Sequence, residues 1–241
     1  MRNRDKTAEI LKQNKIRFLT VLWCDNANLI RSKAIYIPSV LIDVSKGKNN
    51  TGFNNDFISR IERRLTVSVV QQAMPVVYDA PVPEAGLDPV REICLIPYWS
   101  TLVLPEYLSG HALVIGNLAS DSSPWELCPR EMLRRSVMNL SETGFEIEVG
   151  VEIEFFFFHL NDYISNVEHF PVPIDHDLYA QNSAFKRVRQ LIDEITDELL
   201  AQGIEISTYN VESGPGQHEF SLRYFRSREY RGQAYILPRD N

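Results

Sequence analysis

The stretch VGVEIEFFFFHL, Val149 to Leu160, constrains this chain more than any other. Two glutamates, Glu152 and Glu154, sit inside a run of Val, Ile and Phe that predicts a buried strand. Side chains alternate between the two faces of a strand, so both carboxylates share one face, about 7 Å apart by strand rise. Phe155 and Phe157 take the other face. Burying one unpaired carboxylate is costly, and two on one face is worse. A fold that contains this strand must neutralise the pair or leave its face in water.

A second pattern lies downstream. The strands predicted over IEISTYNVE and QHEFSLRYF are separated by SGPG, a turn by composition. Glu212 closes the first. In the second, His218, Phe220, Leu222 and Tyr224 alternate with Gln217, Glu219, Ser221 and Arg223, which places Glu219 on the polar face. If these strands share a sheet with Glu152 and Glu154, up to four carboxylates converge on one surface. Four such groups do not all stay ionised without compensation. A hard divalent cation, Mg²⁺ or Mn²⁺, supplies it through oxygen ligands, and E-x-E can give one carboxylate to each of two adjacent metals. Three other readings stay open at this level: a solvated polar face, a local pair between Glu219 and Arg223, or the acid/base couple of a glycosidase.

Bulk composition removes several function classes. The chain has 241 residues, 44% of them hydrophobic, enough for one large domain or two smaller ones. Its net charge is −7, from 25 basic and 32 acidic residues with no Lys/Arg block, so nucleic-acid binding has no electrostatic support. Cys24, Cys94 and Cys128 are widely spaced and form no C-x-x-C, as expected of reduced thiols in a cytosolic protein. No apolar run approaches ~18 residues, so no membrane span is expected. The opening MRNRDKTAEILKQNK lacks the apolar core of a signal peptide, and the expected address is the cytoplasm.

The pattern changes near SDSSPW, Ser120 to Trp125, which predicts a domain spanning residues 1–119 and a second spanning 120–241. The first reads as β-rich with few helices. A short helix over Thr7 to Gln13 precedes a hairpin (IRFLTVLWCD, a turn at NANL, RSKAIYI), and LTVSVV, EICLIP and HALVIGNL read as further strands. SKGKNNTGFNN and APVPEAGLDPV read as loops. In the second domain, CPREMLRRSVMNLSETG predicts a helix. Pro129 stands at its start, Leu133, Val137 and Leu140 form its apolar side, and Gly144 lies just past its end. SAFKRVRQLIDEITDELLAQG predicts a longer amphipathic helix. Ser183 is its N-cap, Gly203 its stop, and Phe185, Val188, Leu191, Ile192, Ile195 and Leu199 form its apolar face.

Together these stretches resemble the glutamine synthetase family, its type I or γ-glutamyl-amine ligase branch. GVEIEFFFF resembles that family's G-x-E-x-E-F motif, and ESGPGQHEF its E-x-G-x-G-Q-x-E motif. CPREML, PYWSTLVLPEY and DNANLIRSKAI resemble three further family segments, in the family's order. The resemblance implies an α+β fold: a β-grasp-like N-terminal domain followed by the first part of a curved antiparallel-sheet catalytic domain. It implies Mg²⁺ or Mn²⁺ among the sheet's carboxylates and ATP as co-substrate. It also implies ligation of ammonia or an amine to the γ-carboxylate of glutamate through γ-glutamyl phosphate. Carried over residue by residue, Glu154, Glu212 and Glu219 hold the metal on the glutamate side, and Glu152 holds the metal nearer the ATP phosphates. Glu212 also helps bind and deprotonate the ammonium, Tyr179 corresponds to an aromatic residue near the ammonium site, and Tyr224 lies near the nucleotide. Packing is the competing role for both tyrosines.

Two positions depart from the family pattern. Tyr98 stands where an Asp is usual, and Asn28 where the hairpin usually has Gly, a mild change because Asn tolerates the left-handed turn. Family members are also substantially longer. The family's glycine-rich H-loop, histidine metal ligand, substrate-binding arginines and last metal-binding Glu have no counterpart here. His111, His159, His169, His176 and His218 match no such motif, and His218 reads as a strand residue. The expectation is an N-terminal portion, inactive alone, that is a homo-oligomer in its full-length form or receives the other half from a partner chain. The alternative is a non-catalytic structural or assembly relative.

Overall fold

The first helix, α1 (Arg4–Gln13), buries Thr7, Ala8 and Leu11, positions that share one side at helical spacing. The structure is a computed structural model that describes residues 4–42, 53, 56–74, 80–120, 123–159 and 171–226. Strand β1 (Phe18–Cys24) alternates strictly, with Leu19, Val21 and Trp23 turned into the core. It pairs antiparallel with β2 (Ile30–Tyr36), Phe18 opposite Tyr36 and Cys24 opposite Ile30. The turn between them is held by Asp25. Its buried carboxylate accepts the N–H groups of Ala27 and Leu29, each at 2.9 Å, and the Arg31 guanidinium at 2.8 Å. Asn28 takes a left-handed φ of 63°, the conformation expected for a residue replacing glycine.

Two helices follow, α2 (Ile37–Leu41) and α3 (Phe57–Arg64). The run LTVSVV is a strand only over β3 (Thr66–Ser68); Val69–Ala73 tightens into a 3₁₀ turn that buries Val69, Val70 and Gln72. Strands β4 (Glu92–Pro97) and β5 (His111–Ser120) complete the sheet, and β6 (Ser123–Pro124) pairs with β5. The order is β2-β1-β5-β4-β3, with β1 and β5 parallel and the other neighbours antiparallel. At Gly116 a Cβ would lie 2.5 Å from Leu95 Cδ1 and 2.7 Å from Val21 Cγ1, so only glycine lets β5 pack there. Helix α4 (Pro129–Glu142) begins with Pro129 and ends before Gly144, whose φ is 86°. It buries no residue, and Leu133, expected on its apolar side, is exposed. Tyr98 lies under the Arg130 guanidinium, 5.7 Å from ring centre to Cζ.

Contacts divide the chain into two units, Met1–Phe145 and Glu146–Arg239. The second contains β7 (Glu148–Val149), β8 (Glu152–Phe156), α5 (Asn182–Ala201), β9 (Ile206–Val211), β10 (Gln217–Leu222) and β11 (Phe225–Arg226). A three-stranded antiparallel sheet runs β8-β10-β9, and β11 pairs with β7. One face of the sheet packs on α5: Val188, Ile192 and Phe220 are buried, with Phe155, Phe157, Phe185, Ile195 and Tyr209 around them. A side chain such as Phe220 contributes about 1.5–3 kcal/mol by leaving water.

Three expectations are corrected in this unit. Helix α5 is N-capped by Gln181, not Ser183, whose hydroxyl instead donates to Asp177 Oδ2 at 2.9 Å. Leu191 is exposed, because it sits about 100° around the helix from Ile192. Strand β8 is not buried: Glu152, Ile153 and Glu154 are exposed, because β8 is the edge of its sheet and only the α5 side is covered. Most of the loop predicted over Ser45–Asn55, together with His169 and the final YILPRDN, lies outside the described residues.

Candidate functional site

One face of the β8-β10-β9 sheet carries Glu152, Glu154 and Glu219. Glu154 and Glu219 are direct cross-strand partners, Glu152 is opposite Ser221, and Asn210 of β9 is opposite Glu219. Directly opposed residues have Cβ atoms about 4.5–5.5 Å apart. Glu152, Glu154 and Glu219 therefore share one sheet. Glu212 follows β9 directly, and its backbone N–H donates to the Gln217 carbonyl at 2.9 Å across the Ser213–Gly216 turn.

Neutral donors surround these carboxylates. Glu219 is buried, and its Oε1 accepts from Ser221 Oγ at 2.9 Å and Asn210 Nδ2 at 3.3 Å. Glu154 Oε2 accepts from Gln217 Nε2 at 2.9 Å. Arg223, the local partner considered for Glu219, pairs with Glu205 at 2.7 Å instead. Among the described residues, none of the four glutamates forms an ion pair. Also among the described residues, no group of three or more His, Cys, Asp or Glu side chains is gathered closely enough to hold a metal ion. The donor chemistry nonetheless fits a hard cation. Two opposed carboxylates, Glu154 exposed and Glu219 buried, share one sheet face, each hydrogen-bonded only by neutral groups, and oxygen donors of this kind suit Mg²⁺ or Mn²⁺.

The two tyrosines sit at the periphery. Tyr179 is exposed, next to Ala180, which takes a left-handed φ of 57° and donates its N–H to the Val211 carbonyl at 3.0 Å. Tyr224 is also exposed, and its ring lies over Gly150: a Cβ on that glycine would come within 2.8 Å of Tyr224 Cε1. The first glycine of the G-x-E-x-E segment thus has a packing reason.

Sequence reasoning missed a polar group on the covered face. His218 is fully buried, and its Nδ1 is 2.6 Å from the Tyr209 hydroxyl. Burial lowers the His218 pKa, partly offset by the Asp175 carboxylate, and burial followed by Asp175 pushes Tyr209 up to about 12. Tyr209 therefore keeps its proton, and its hydroxyl is hydrogen-bonded to a neutral imidazole. Alternation placed His218 on the apolar face, but nothing in the sequence linked it to Asp175, which arrives from a separate loop.

An α+β chain of mixed helix and curled sheet, with paired glutamates on the open face of an antiparallel sheet, has clear counterparts among known proteins. Residues 126–234 match the family described as glutamine synthetase, catalytic domain. Type-1 glutamine synthetase 1 of Dictyostelium discoideum is 27% identical over 222 residues, 88% of this chain and 42% of that protein. Gamma-glutamylethanolamide synthetase GlnA4 of Streptomyces coelicolor is 29% identical over 119 residues, 48% of this chain and 26% of that protein. A solved structure titled as a GmaS/ADP complex covers 91% of this chain and 44% of its own length, with a TM-score of 0.66 at 17% identity, a likeness of fold. Residues 126–234 thus carry the catalytic-domain pattern of the glutamine synthetase family, and the chain spans less than half the length of these relatives. Among the described residues, no helix is long and apolar enough to cross a membrane.

Proposed function

We propose that this chain forms the N-terminal portion of an ATP-dependent carboxylate–amine ligase that joins ammonia or an amine to the γ-carboxylate of glutamate through γ-glutamyl phosphate. The observation that carries the reading is the direct opposition of Glu154 and Glu219 on an open sheet face with only neutral hydrogen-bond donors around them. Once the ligands from the rest of the enzyme are in place, Glu154, Glu212 and Glu219 would hold a divalent cation on the glutamate side, and Glu152 would hold one nearer the ATP phosphates. Bound there, Mg²⁺ or Mn²⁺ would supply the charge neutralisation that phosphoryl transfer between anions requires. Glu212 orients the ammonium and accepts its proton. Tyr179 borders the amine side and Tyr224 the nucleotide side.

The order of the first sheet, with parallel β1 and β5 at its centre, supports a β-grasp-like N-terminal domain over residues 1–119. The catalytic portion then runs over 120–241, and the family match from residue 126 supports that division. The full reaction also needs substrate-binding arginines and a histidine ligand that these residues do not supply. They come from further sequence on the same polypeptide or from a partner chain, in a cytoplasmic homo-oligomer. The relationship to GlnA4, a synthetase named for an ethanolamide product, favours keeping amines beside ammonia as acceptors.

Calorimetric titration of Mn²⁺ into the folded chain tests the reading. Saturable binding that is lost in both Glu154→Ala and Glu219→Ala is expected. Well-folded protein that binds no Mn²⁺ would instead favour a non-catalytic structural or assembly relative.

A further inference from the structure

Gln217 belongs to the ESGPGQHEF motif, and the metal-binding roles above leave it unused. Its side-chain amide is held at both ends. Oε1 accepts the backbone N–H of Gly214 at 2.9 Å, and Nε2 donates to Glu154 Oε2 at 2.9 Å. The first bond fixes the orientation of the amide: turned over, its NH₂ would face another N–H, donor against donor. The donor end is thereby committed to the carboxylate. Gly214 makes the arrangement possible, since a Cβ there would lie 2.5 Å from Gln217 Oε1 and 3.1 Å from Phe156 Cε1. In the strand register Gln217 is opposite Phe156, so it reaches Glu154 diagonally along the same open face.

We propose that Gln217 is a positioning residue that pins one oxygen of the exposed Glu154 carboxylate and leaves the other as the free acceptor for a divalent cation. This rests on the metal-binding reading of the sheet face. An exposed glutamate samples several rotamers, and fixing it in advance reduces the ordering cost of binding. Partners of this kind, one shell out from a ligand, commonly change metal affinity by about tenfold to a hundredfold.

The test is Mn²⁺ calorimetry on the wild-type chain, Gln217→Met, Glu154→Ala and the double variant, with thermal unfolding of each in metal-free buffer. Methionine keeps the length of the side chain but removes both hydrogen bonds. Gln217→Asn is a second variant, too short to span both partners. Mn²⁺ affinity is expected to fall about tenfold to a hundredfold in Gln217→Met and Gln217→Asn, with the metal-free unfolding temperature near wild type. The double variant should bind no more weakly than Glu154→Ala alone. Wild-type affinity in both Gln217 variants, with affinity lost in Glu154→Ala, overturns the positioning role and leaves the metal reading standing. A lowered unfolding temperature with unchanged affinity also overturns it. Wild-type binding in Glu154→Ala, or no binding by the wild-type chain, overturns both.

Discussion

Glu154 and Glu219 face each other directly across the antiparallel β8–β10 pair, and their donors are the neutral side chains of Gln217, Asn210 and Ser221. Like charges directly opposite on a sheet destabilise it, by an amount comparable to other cross-strand pairs, about 0.2–1 kcal/mol. Glu219→Gln removes the repulsion and keeps an acceptor oxygen for Asn210 and Ser221. The expected outcome is opposite in sign for the two properties. In metal-free buffer, urea unfolding should show unchanged or higher stability, by up to about 1 kcal/mol. Mn²⁺ affinity should fall. A variant that loses both would mean that Glu219 serves the fold and not the open face.

The His218–Tyr209 pair on the opposite face gives stability two pH limits. Burial lowers the His218 pKa below the ordinary 6.5, with Asp175 partly offsetting it, so the unfolded chain takes up this proton first as pH falls. The contribution is fully present above about 6.5 and is lost as pH drops through the lower folded value. Tyr209 is raised from 10 to about 12, so the unfolded chain releases its proton first. Its contribution is intact below 10 and is lost as pH rises toward about 12. Urea midpoints measured across pH should show both flanks. Tyr209→Phe should flatten the alkaline one, and His218→Asn the acidic one.

Much of this architecture is legible in local pattern. Burial alternates along FLTVLWC and along HALVIGNL, the runs that mark β1 and β5, and the alternation after SGPG separates Glu219 and Gln217 from His218 and Phe220. Pro129 and Gly144 bracket α4 as their backbone preferences require. Other features depend on neighbours far along the chain. Helix α3 spans only two turns, too few for its period to stand out beside the polar loop before it, although Phe57, Ile58 and Ile61 are all buried. The exposure of Glu152 and Glu154 follows from the place of β8 at the sheet edge, a matter of strand order that an apolar run does not encode. Gln217 fell on the polar face by alternation, but its grip on Glu154 depends on the backbone of the intervening turn.

That turn depends on Gly216. Its φ is 68°, and a Cβ there would lie 2.6 Å from the Phe157 carbonyl oxygen, a backbone atom that cannot swing aside. The Gly216 carbonyl in turn accepts the Phe157 N–H at 2.8 Å. Gly216→Ala therefore combines left-handed strain with a backbone clash. Stability of the second unit should fall by at least about 1–3 kcal/mol. Hydrogen exchange should show the loss first at the amides of Phe157 and Gln217. Exchange rates unchanged from wild type would mean that the turn can reform with a side chain in place.

In the first unit the corresponding fixed point is Asp25, 1% exposed, which closes the β1–β2 hairpin. Its carboxylate satisfies the N–H groups of Ala27 and Leu29 and binds Arg31 at 2.8 Å. The two possible truncations are not equivalent. Arg31→Ala leaves a buried carboxylate that still has two backbone donors. Asp25→Ala strands those donors and removes the carboxylate from a half-buried guanidinium that keeps the Met74 carbonyl. Breaking a buried pair typically costs about 3–5 kcal/mol, and Asp25→Ala should lie toward the upper end of that range. Arg31→Ala should cost less, because the carboxylate keeps both backbone donors. Urea unfolding of both variants separates these outcomes. Equal losses in the two variants would show that the hairpin is held by its strands and not by the Asp25 carboxylate.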